Sequence, residues 1–307
     1  MTSAPLPDAG ANWVDRHAPE RLKPWLKLGR FDRPIGIWLL LLPGWQGIAL
    51  ALAQYRQAPG LYDLWLFVGF GIGACLMRAA GCAFNDIVDR DFDARVARTA
   101  LRPIPAGLIS VKQAWAFVIG CSLISLMILL TLPKVAILLG VGSLALVAAY
   151  PFMKRITWWP QAWLGLVFTW GLLVGWTQLR ADNWDALAAM YAGAALWVIG
   201  YDTIYALQDR EDDALVGIRS SALRLGGHVQ GGVALFYAGA VTLWALAFWL
   251  YRADWVALLA LLPAAAHLTW QVATLDAEDA GNPLARFRAN RWAGALVAAA
   301  CFVVGNA

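Results

Sequence analysis

The chain has 307 residues, 61% of them hydrophobic and only 14% charged, with a formal net charge of +4. Soluble domains average about 25% charged residues, so this composition excludes a water-soluble globular protein and indicates one that lives in a bilayer. Cys75, Cys82, Cys121 and Cys301 lie in apolar runs with no Cys-x-x-Cys pair, which leaves them as small packing residues and removes disulfide and zinc frameworks from consideration.

A membrane span needs about 20 mostly apolar residues. The first 33 residues read as a cytoplasmic N-terminal segment, with Asp8, Asp15, Glu20 and Asp32 and no apolar core of a secretory signal. Within it, Pro24 to Leu28 are expected to form a short surface helix, with the proline in the first turn. An intramembrane domain is expected over 34–307. Its apolar runs are Pro34–Tyr55, Leu64–Asn85, Gln113–Pro133, Val135–Met153, Ile156–Leu179, Ala186–Gln208, Leu225–Tyr251, Trp255–Leu275 and Trp292–Ala307. The expected fold is therefore all-α and polytopic, with nine transmembrane helices, the last of them short. Trp158, Trp159 and Trp184 fall at span ends as interfacial anchors, while most of the other tryptophans are expected to fill the bundle.

With nine spans, 19 of the 24 basic residues fall on the N-terminal side of the membrane. The positive-inside rule makes that side cytoplasmic, and the same asymmetry supports the span count.

Two acidic stretches close the second and sixth spans on this basic side. The first is Asn85-Asp86-x-x-Asp89-x-x-x-Asp93; the second is Tyr201-Asp202-x-x-Tyr205-x-x-x-Asp209, with Asp213 one turn further. Residues at i, i+3 and i+7 share one helix face. Two carboxylates about 4 Å apart repel by roughly 4 kcal/mol at an effective dielectric near 20, so each cluster calls for a cation. The match in register points to a duplicated unit: two parallel four-helix repeats plus one helix.

Basic residues stand among the acids. Arg78 lies inside the second span, about two turns before Asn85, where an arginine is costly and ordinarily faces a polar cavity. Arg102 follows the first motif, Lys154 and Arg155 open the fifth span, and Arg219 follows the second motif. Carboxylates for Mg²⁺ beside guanidiniums for phosphate oxygens suit a metal-bridged diphosphate better than a metal cage built from protein alone. A solvated loop of mixed charge is the plain alternative, and the repeat, the helical spacing and Arg78 weigh against it. The chain has no nucleophile triad, Walker loop or dinucleotide fingerprint. His267, inside the eighth span, is expected to be a packed polar residue.

With these motifs the chain resembles the UbiA superfamily of intramembrane prenyltransferases, and within it the branch that prenylates 4-hydroxybenzoate. The closer likeness rests on Arg30-x-Asp32-x-Pro34-x-Gly36, Arg102-Pro103-x-Pro105-x-Gly107, Tyr150-Pro151-x-x-Lys154-Arg155-x-Thr157-x-x-Pro160-Gln161, Tyr201-Asp202-Thr203-x-Tyr205-Ala206 and Gly217-Ile218-Arg219-Ser220. Arg219 stands where a lysine is expected, which keeps the charge and changes the geometry.

The resemblance implies nine helices around a central cavity, with Mg²⁺ holding the diphosphate of a polyprenyl donor for transfer to the ring carbon of 4-hydroxybenzoate ortho to the hydroxyl. That reaction is an early membrane step of ubiquinone biosynthesis. The expected metal residues are Asn85, Asp86, Asp89, Asp93, Asp202, Asp209 and Asp213. Arg30, Arg78, Arg102, Lys154, Arg155 and Arg219 are the expected substrate-binding residues. Asp202, Asp209 and Tyr205 are the expected catalytic residues, with Arg30 and Arg155 as candidates for the acceptor carboxylate. The expected setting is a bacterial inner membrane, with the N-terminus and active site cytoplasmic and neither nucleic acid nor an obligate protein partner. The alternatives are sibling enzymes acting on haem, dihydroxynaphthoate or homogentisate, and then a transporter, which the parallel repeats disfavour.

Overall fold

A computed structural model of the chain describes residues 12–55, 60–95, 99–178, 183–210, 214, 217–279 and 281–306. The described residues form helices joined by short connections, with no strand among them. In chain order they are α1 (Trp13–His17), α2 (Lys23–Leu28), α3 (Ile35–Tyr55), α4 (Leu61–Asp93), α5 (Val111–Leu129), α6 (Lys134–Ile156) and α7 (Pro160–Trp176). They continue with α8 (Trp184–Ala206), α9 (Ser221–Leu225), α10 (Val229–Tyr251), α11 (Trp255–Leu259), α12 (Leu262–Ala273) and α13 (Asn282–Asn306).

Seven helical segments among the described residues are long and apolar enough to cross a bilayer, as expected of an integral membrane protein. The count of nine read from the sequence is not reached on this measure. Helix α7 has 17 residues, short of a full span, and α13 carries Arg286, Arg288 and Arg291 in its first half. The α7 and α13 regions are nonetheless helical where spans were expected.

Helix α4 is the longest element, at 33 residues. At 1.5 Å per residue it runs about 50 Å, well beyond a hydrocarbon core of about 30 Å. The first acidic motif is therefore not a loop: Asn85 to Asp93 are the last two and a half turns of the helix.

The chain divides into two compact units, one of Met1–Trp38 with Gly71–Thr131 and one of Leu39–Phe70 with Leu132–Ala307. In the first unit, Leu28 of α2 packs with Ala83 and Ile87 of α4, Ile104 and Ile109 of the connection, and Ala114 of α5. Trp25 and Phe117 close over this cluster, with ring centroids 5.9 Å apart. Ser110 starts α5 with a capping box, its hydroxyl accepting from Gln113 N while the Gln113 side chain accepts from Ser110 N.

In the second unit α8 is central, packed on α7, α10 and α13. Its Met190, Trp197, Val198, Tyr201 and Ile204 are buried, as are Trp176 and Trp244. Those three tryptophans fill the interior, but nine others are exposed, Trp158 and Trp184 at helix ends among them, so most do not fill the bundle as expected. Helices α3 and α7 meet backbone to backbone. A Cβ on Gly47 would run into the carbonyl of Leu172 and lie 2.9 Å from Trp176 N, and one on Gly175 would strike the carbonyl of Gly44. Such small-residue crossings are how helices cohere in lipid, where burying apolar surface gains little.

Candidate active site

The first motif lies at the end of α4, and its three aspartates are buried on one face: Asp86 and Asp89 at 1% exposure and Asp93 at 8%. Guanidiniums pair with Asp86 and Asp93. Arg30 Nη2 donates to both oxygens of Asp86, at 2.7 and 2.9 Å. Arg102 Nη1 donates to Asp93 Oδ2 at 2.7 Å and reaches Asp86 Oδ1 at 3.3 Å. Thr99 Oγ1 donates to the Asp93 carbonyl, 2.8 Å away.

The placement of Arg30 follows from how α2 ends. Phe31 N donates to Leu26 O and Arg30 N to Lys27 O, the paired bonds of a Schellman motif. The residue after the cap must then turn left-handed. Glycine usually takes that place, but here Gly29 comes one residue early and Arg30 takes the turn, with φ 58°. Its Nη1 also donates to the Lys27 carbonyl at 2.9 Å. Burial opposes the charge on Arg30, while Asp86, Cys82 and Asp32 favour it; the net effect holds its pKa above the ordinary arginine value.

Asp32, equally buried, accepts from Arg33 Nε at 3.3 Å and Nη2 at 3.2 Å. Asp32, inside the Arg30-x-Asp32-x-Pro34-x-Gly36 stretch, and Thr99, after the acidic run, join the site through contacts that sequence spacing does not reveal. Gly36, in the first turn of α3, makes room for Arg78: a Cβ there would lie 2.5 Å from Arg78 Nε and 2.9 Å from Nη2. Asn85 is half-buried on the same two turns.

The second motif is built differently. Asp202 and Tyr205 are on α8, but Leu207–Asp209 form a 3₁₀ turn. Three residues at about 120° each instead of about 100° swing Asp209 roughly 60° round the axis from its α-helical position. The shared-face geometry therefore holds for the first motif and loosens in the second. Asp202, Tyr205 and Asp209 are half-buried. The Tyr205 ring rests on Phe287, with centroids 4.5 Å apart. Asp213 lies outside the described residues.

Around this motif, buried Thr203 of α8 shares a 2.7 Å hydrogen bond with Ser221, and Ser221 N donates to Gln161 Oε1 of α7 at 3.1 Å. Arg219 is tied to the end of α6. Its N donates to the Lys154 carbonyl at 3.1 Å, its Nη1 donates to the Ile156 carbonyl at 2.8 Å, and its guanidinium lies 5.5 Å from the Trp158 ring. Two of the carbonyls that a helix C-terminus leaves unpaired are satisfied in this way. Lys154 is half-buried, and Arg155, exposed, lies 6.0 Å from the Phe152 ring. His267 bonds the Ala289 carbonyl at 3.1 Å, in keeping with a packed polar role.

No group of three or more His, Cys, Asp or Glu among the described residues is placed to hold a metal ion unaided. That is no obstacle to Mg²⁺, which commonly takes one or two carboxylates and completes its shell with phosphate and water. The donors fit such a shared ion: buried Asp86 and Asp93 carboxylates paired with the Arg30 and Arg102 guanidiniums.

The model of the UbiA prenyltransferase family matches residues 39–302. The mitochondrial 4-hydroxybenzoate polyprenyltransferase of Caenorhabditis elegans is 43% identical over 281 residues, spanning 91% of this chain and 78% of that one. The human protein of the same name is 42% identical over 285 residues, spanning 91% and 75%. These relatives are mitochondrial by name and lend no support to the bacterial inner membrane expected from the sequence. Among solved structures, the apo UbiA homolog from Aeropyrum pernix K1 superposes with a TM-score of 0.70 at 26% identity, covering 86% of this chain and 96% of that one. A UbiA homolog from Archaeoglobus fulgidus bound to GPP and Mg²⁺ superposes with a TM-score of 0.64 at 19% identity, covering 92% and 100%.

Proposed function

From a chain that belongs to the UbiA prenyltransferase family, we propose a membrane enzyme that joins a polyprenyl chain to 4-hydroxybenzoate, releasing diphosphate, as an early membrane step toward ubiquinone. The observation that carries this reading is the buried cluster of Asp86, Asp89 and Asp93 with Arg30 and Arg102 paired to it. Identity of about two fifths to 4-hydroxybenzoate polyprenyltransferases supports the acceptor.

The allylic carbon–oxygen bond of the donor breaks and its electron pair leaves with the diphosphate. The ring carbon ortho to the phenol oxygen, enriched by that oxygen, attacks the allylic cation; the same carbon then loses its proton and the ring regains aromaticity. Asp86, Asp89 and Asp93, with Asn85, would hold Mg²⁺ at the first motif. When bound, the metal supplies positive charge against the departing diphosphate.

Arg30 and Arg102 exchange a carboxylate partner for a phosphate oxygen as the donor arrives, and Arg78 adds a third guanidinium. Asp202 or Asp209 takes the ring proton, and Tyr205 orients the acceptor. Lys154, Arg155 and Arg219 form the basic edge of the second motif, with Arg155 a candidate for the acceptor carboxylate. Apolar helix walls keep water from the cation. The positive-inside rule places both motifs on the basic side of the membrane, and the full nine spans are part of this reading.

The test is purified protein with polyprenyl diphosphate, Mg²⁺ and 4-hydroxybenzoate, read by mass spectrometry, alongside protohaem, dihydroxynaphthoate and homogentisate. Only 4-hydroxybenzoate is expected to gain the chain. Excess chelator is expected to stop the reaction, and Asp86→Asn or Asp202→Asn to lower turnover by roughly 10²–10³-fold or more. Full activity in chelator, wild-type turnover in either variant, or transfer to another acceptor alone overturns the reading.

A further inference from the structure

The last helix carries a polar cluster with no counterpart among the motifs. Asn290 of α13, Gln271 of α12, and Trp197 of α8 are fully buried, and Tyr237 of α10 is 3% exposed. Trp197 Nε1 donates to Asn290 Oδ1 at 2.8 Å, and the Tyr237 hydroxyl lies 3.2 Å from both Asn290 Oδ1 and Gln271 Oε1. Asn290 Nδ2 donates to Gln271 Oε1 at 2.9 Å and to the Arg286 carbonyl at 3.1 Å. Four helices are thus joined through one amide. Gly200 is part of the fit, since a Cβ there would lie 2.5 Å from the Tyr237 ring.

This lock stands one turn from Phe287. On α13, residues 287 and 290 share a face, so fixing Asn290 fixes the azimuth of Phe287. Phe287 is buried and touches two rings of the second motif: Tyr205 at 4.5 Å and Tyr201 at 5.9 Å. Tyr201 in turn meets Trp197 edge-on at 5.1 Å, returning the chain of contacts to the ring that bonds Asn290. Tyr205 remains partly accessible while Phe287 closes its back. A tyrosine between two aspartates is a poor Mg²⁺ ligand but a suitable surface for a flat ring.

We propose that Phe287 and Asn290 are positioning residues for acceptor binding. Phe287 backs the Tyr205 ring, on whose open side the aromatic acceptor lies, and Asn290 locks the helix that presents Phe287. The proposal rests on the prenyl-transfer function above and extends it to α13, where no acidic or basic motif pointed.

The test is steady-state kinetics of the purified enzyme, varying each substrate in turn, for Phe287→Leu, Asn290→Leu and the double variant. Each single variant is expected to raise the KM for the aromatic acceptor by about 3–10-fold, the range of one aromatic pair, while the KM for the polyprenyl diphosphate stays within about twofold. The double variant is expected to be no worse than the more impaired single one, because both act through Tyr205. Asn290→Leu leaves buried Trp197 Nε1 without its acceptor and takes one bond each from Tyr237 and Gln271, which keep the bond to each other, and it can fail to fold; Phe287→Leu disturbs no hydrogen bond and decides the question by itself. An unchanged acceptor KM in Phe287→Leu, an equal rise in both KM values, or additive effects in the double variant overturn the proposal. A wild-type protein that prenylates no aromatic acceptor overturns the function first, which separates the two failures.

Discussion

Substituting Arg30 tests how the first motif is held. A left-handed backbone costs an L-residue about 1–2 kcal/mol that glycine does not pay, and Arg30 sits there at φ 58°. Its side chain pairs with buried Asp86 at 2.7 Å. Removing one partner of a buried ion pair costs about 3–5 kcal/mol. Arg102 remains on Asp86 at 3.3 Å, so the loss belongs near the lower end, about 3 kcal/mol. Arg30→Ala loses the pair and keeps the strain.

Arg30→Gly loses the pair and sheds the strain, less about 0.5–1 kcal/mol for the greater freedom of glycine in the unfolded chain. The glycine variant is therefore expected to be the more stable of the two by about 0.5–1 kcal/mol, with both below wild type. Denaturant unfolding in a mild detergent, followed by near-UV circular dichroism, measures this order. An alanine variant at least as stable as the glycine one would refute the strain, and either variant matching wild type would refute the pair.

Gly36→Ala is expected to displace the Arg78 guanidinium, which sits 2.5 Å from the new methyl. A flexible side chain yields cheaply, so the melting temperature should barely move while the KM for the polyprenyl diphosphate rises; an unchanged KM counts against a phosphate role for Arg78. Gly47→Ala meets backbone instead of side chain. It is expected to destabilise by about 1–3 kcal/mol or to abolish folded protein, and a normal thermal melt would argue against the close crossing of α3 and α7.

At the N-terminus, Asp15 pairs with buried Lys27 at 2.7 Å. Burial of Asp15 raises its pKa, but Lys27 and Asn12 outweigh this and leave it below the ordinary 3.8. A depressed carboxylate stabilises at pH values above its unfolded pKa, and that contribution is lost as pH falls through the folded value. Docking of α1 on α2 should accordingly weaken below about pH 4, reported by proteolysis between Trp13 and Pro24, and Asp15→Asn should flatten that profile; an identical profile in the variant excludes this pair as the cause.

Helix content and membrane character were legible because both follow from local apolar runs and charge. The first motif was legible as a cation-seeking cluster because its period matches a helix. That α4 continues through Asp93 was implied by the same period, yet the charge density gave it the look of a loop. The Asp86–Arg30 pair spans 56 residues of sequence, and only tertiary structure brings its partners together. The second motif shows the limit of register: identical spacing predicts the same face, and a 3₁₀ turn at Leu207–Asp209 moves Asp209 off it. Asn290 and Gln271 sit singly among apolar or basic neighbours, with no spacing to join two different helices. Membership in the family settles what the protein belongs to; the local conformations show how this sequence builds its motifs.

The crossing of α3 and α7 has a consequence for how the protein comes apart. Where Gly44 and Gly47 meet Gly171 and Gly175, the contact is largely main chain. Forming it freezes few side-chain rotamers, so little entropy is regained by loosening it part-way. A gap of about 0.5–1 Å already forfeits about a quarter to a half of the dispersion between close-packed atoms. A seam of this kind has few half-open states: it parts as a single event along both helices, and its lifetime is governed by one barrier in place of gradual fraying from the ends.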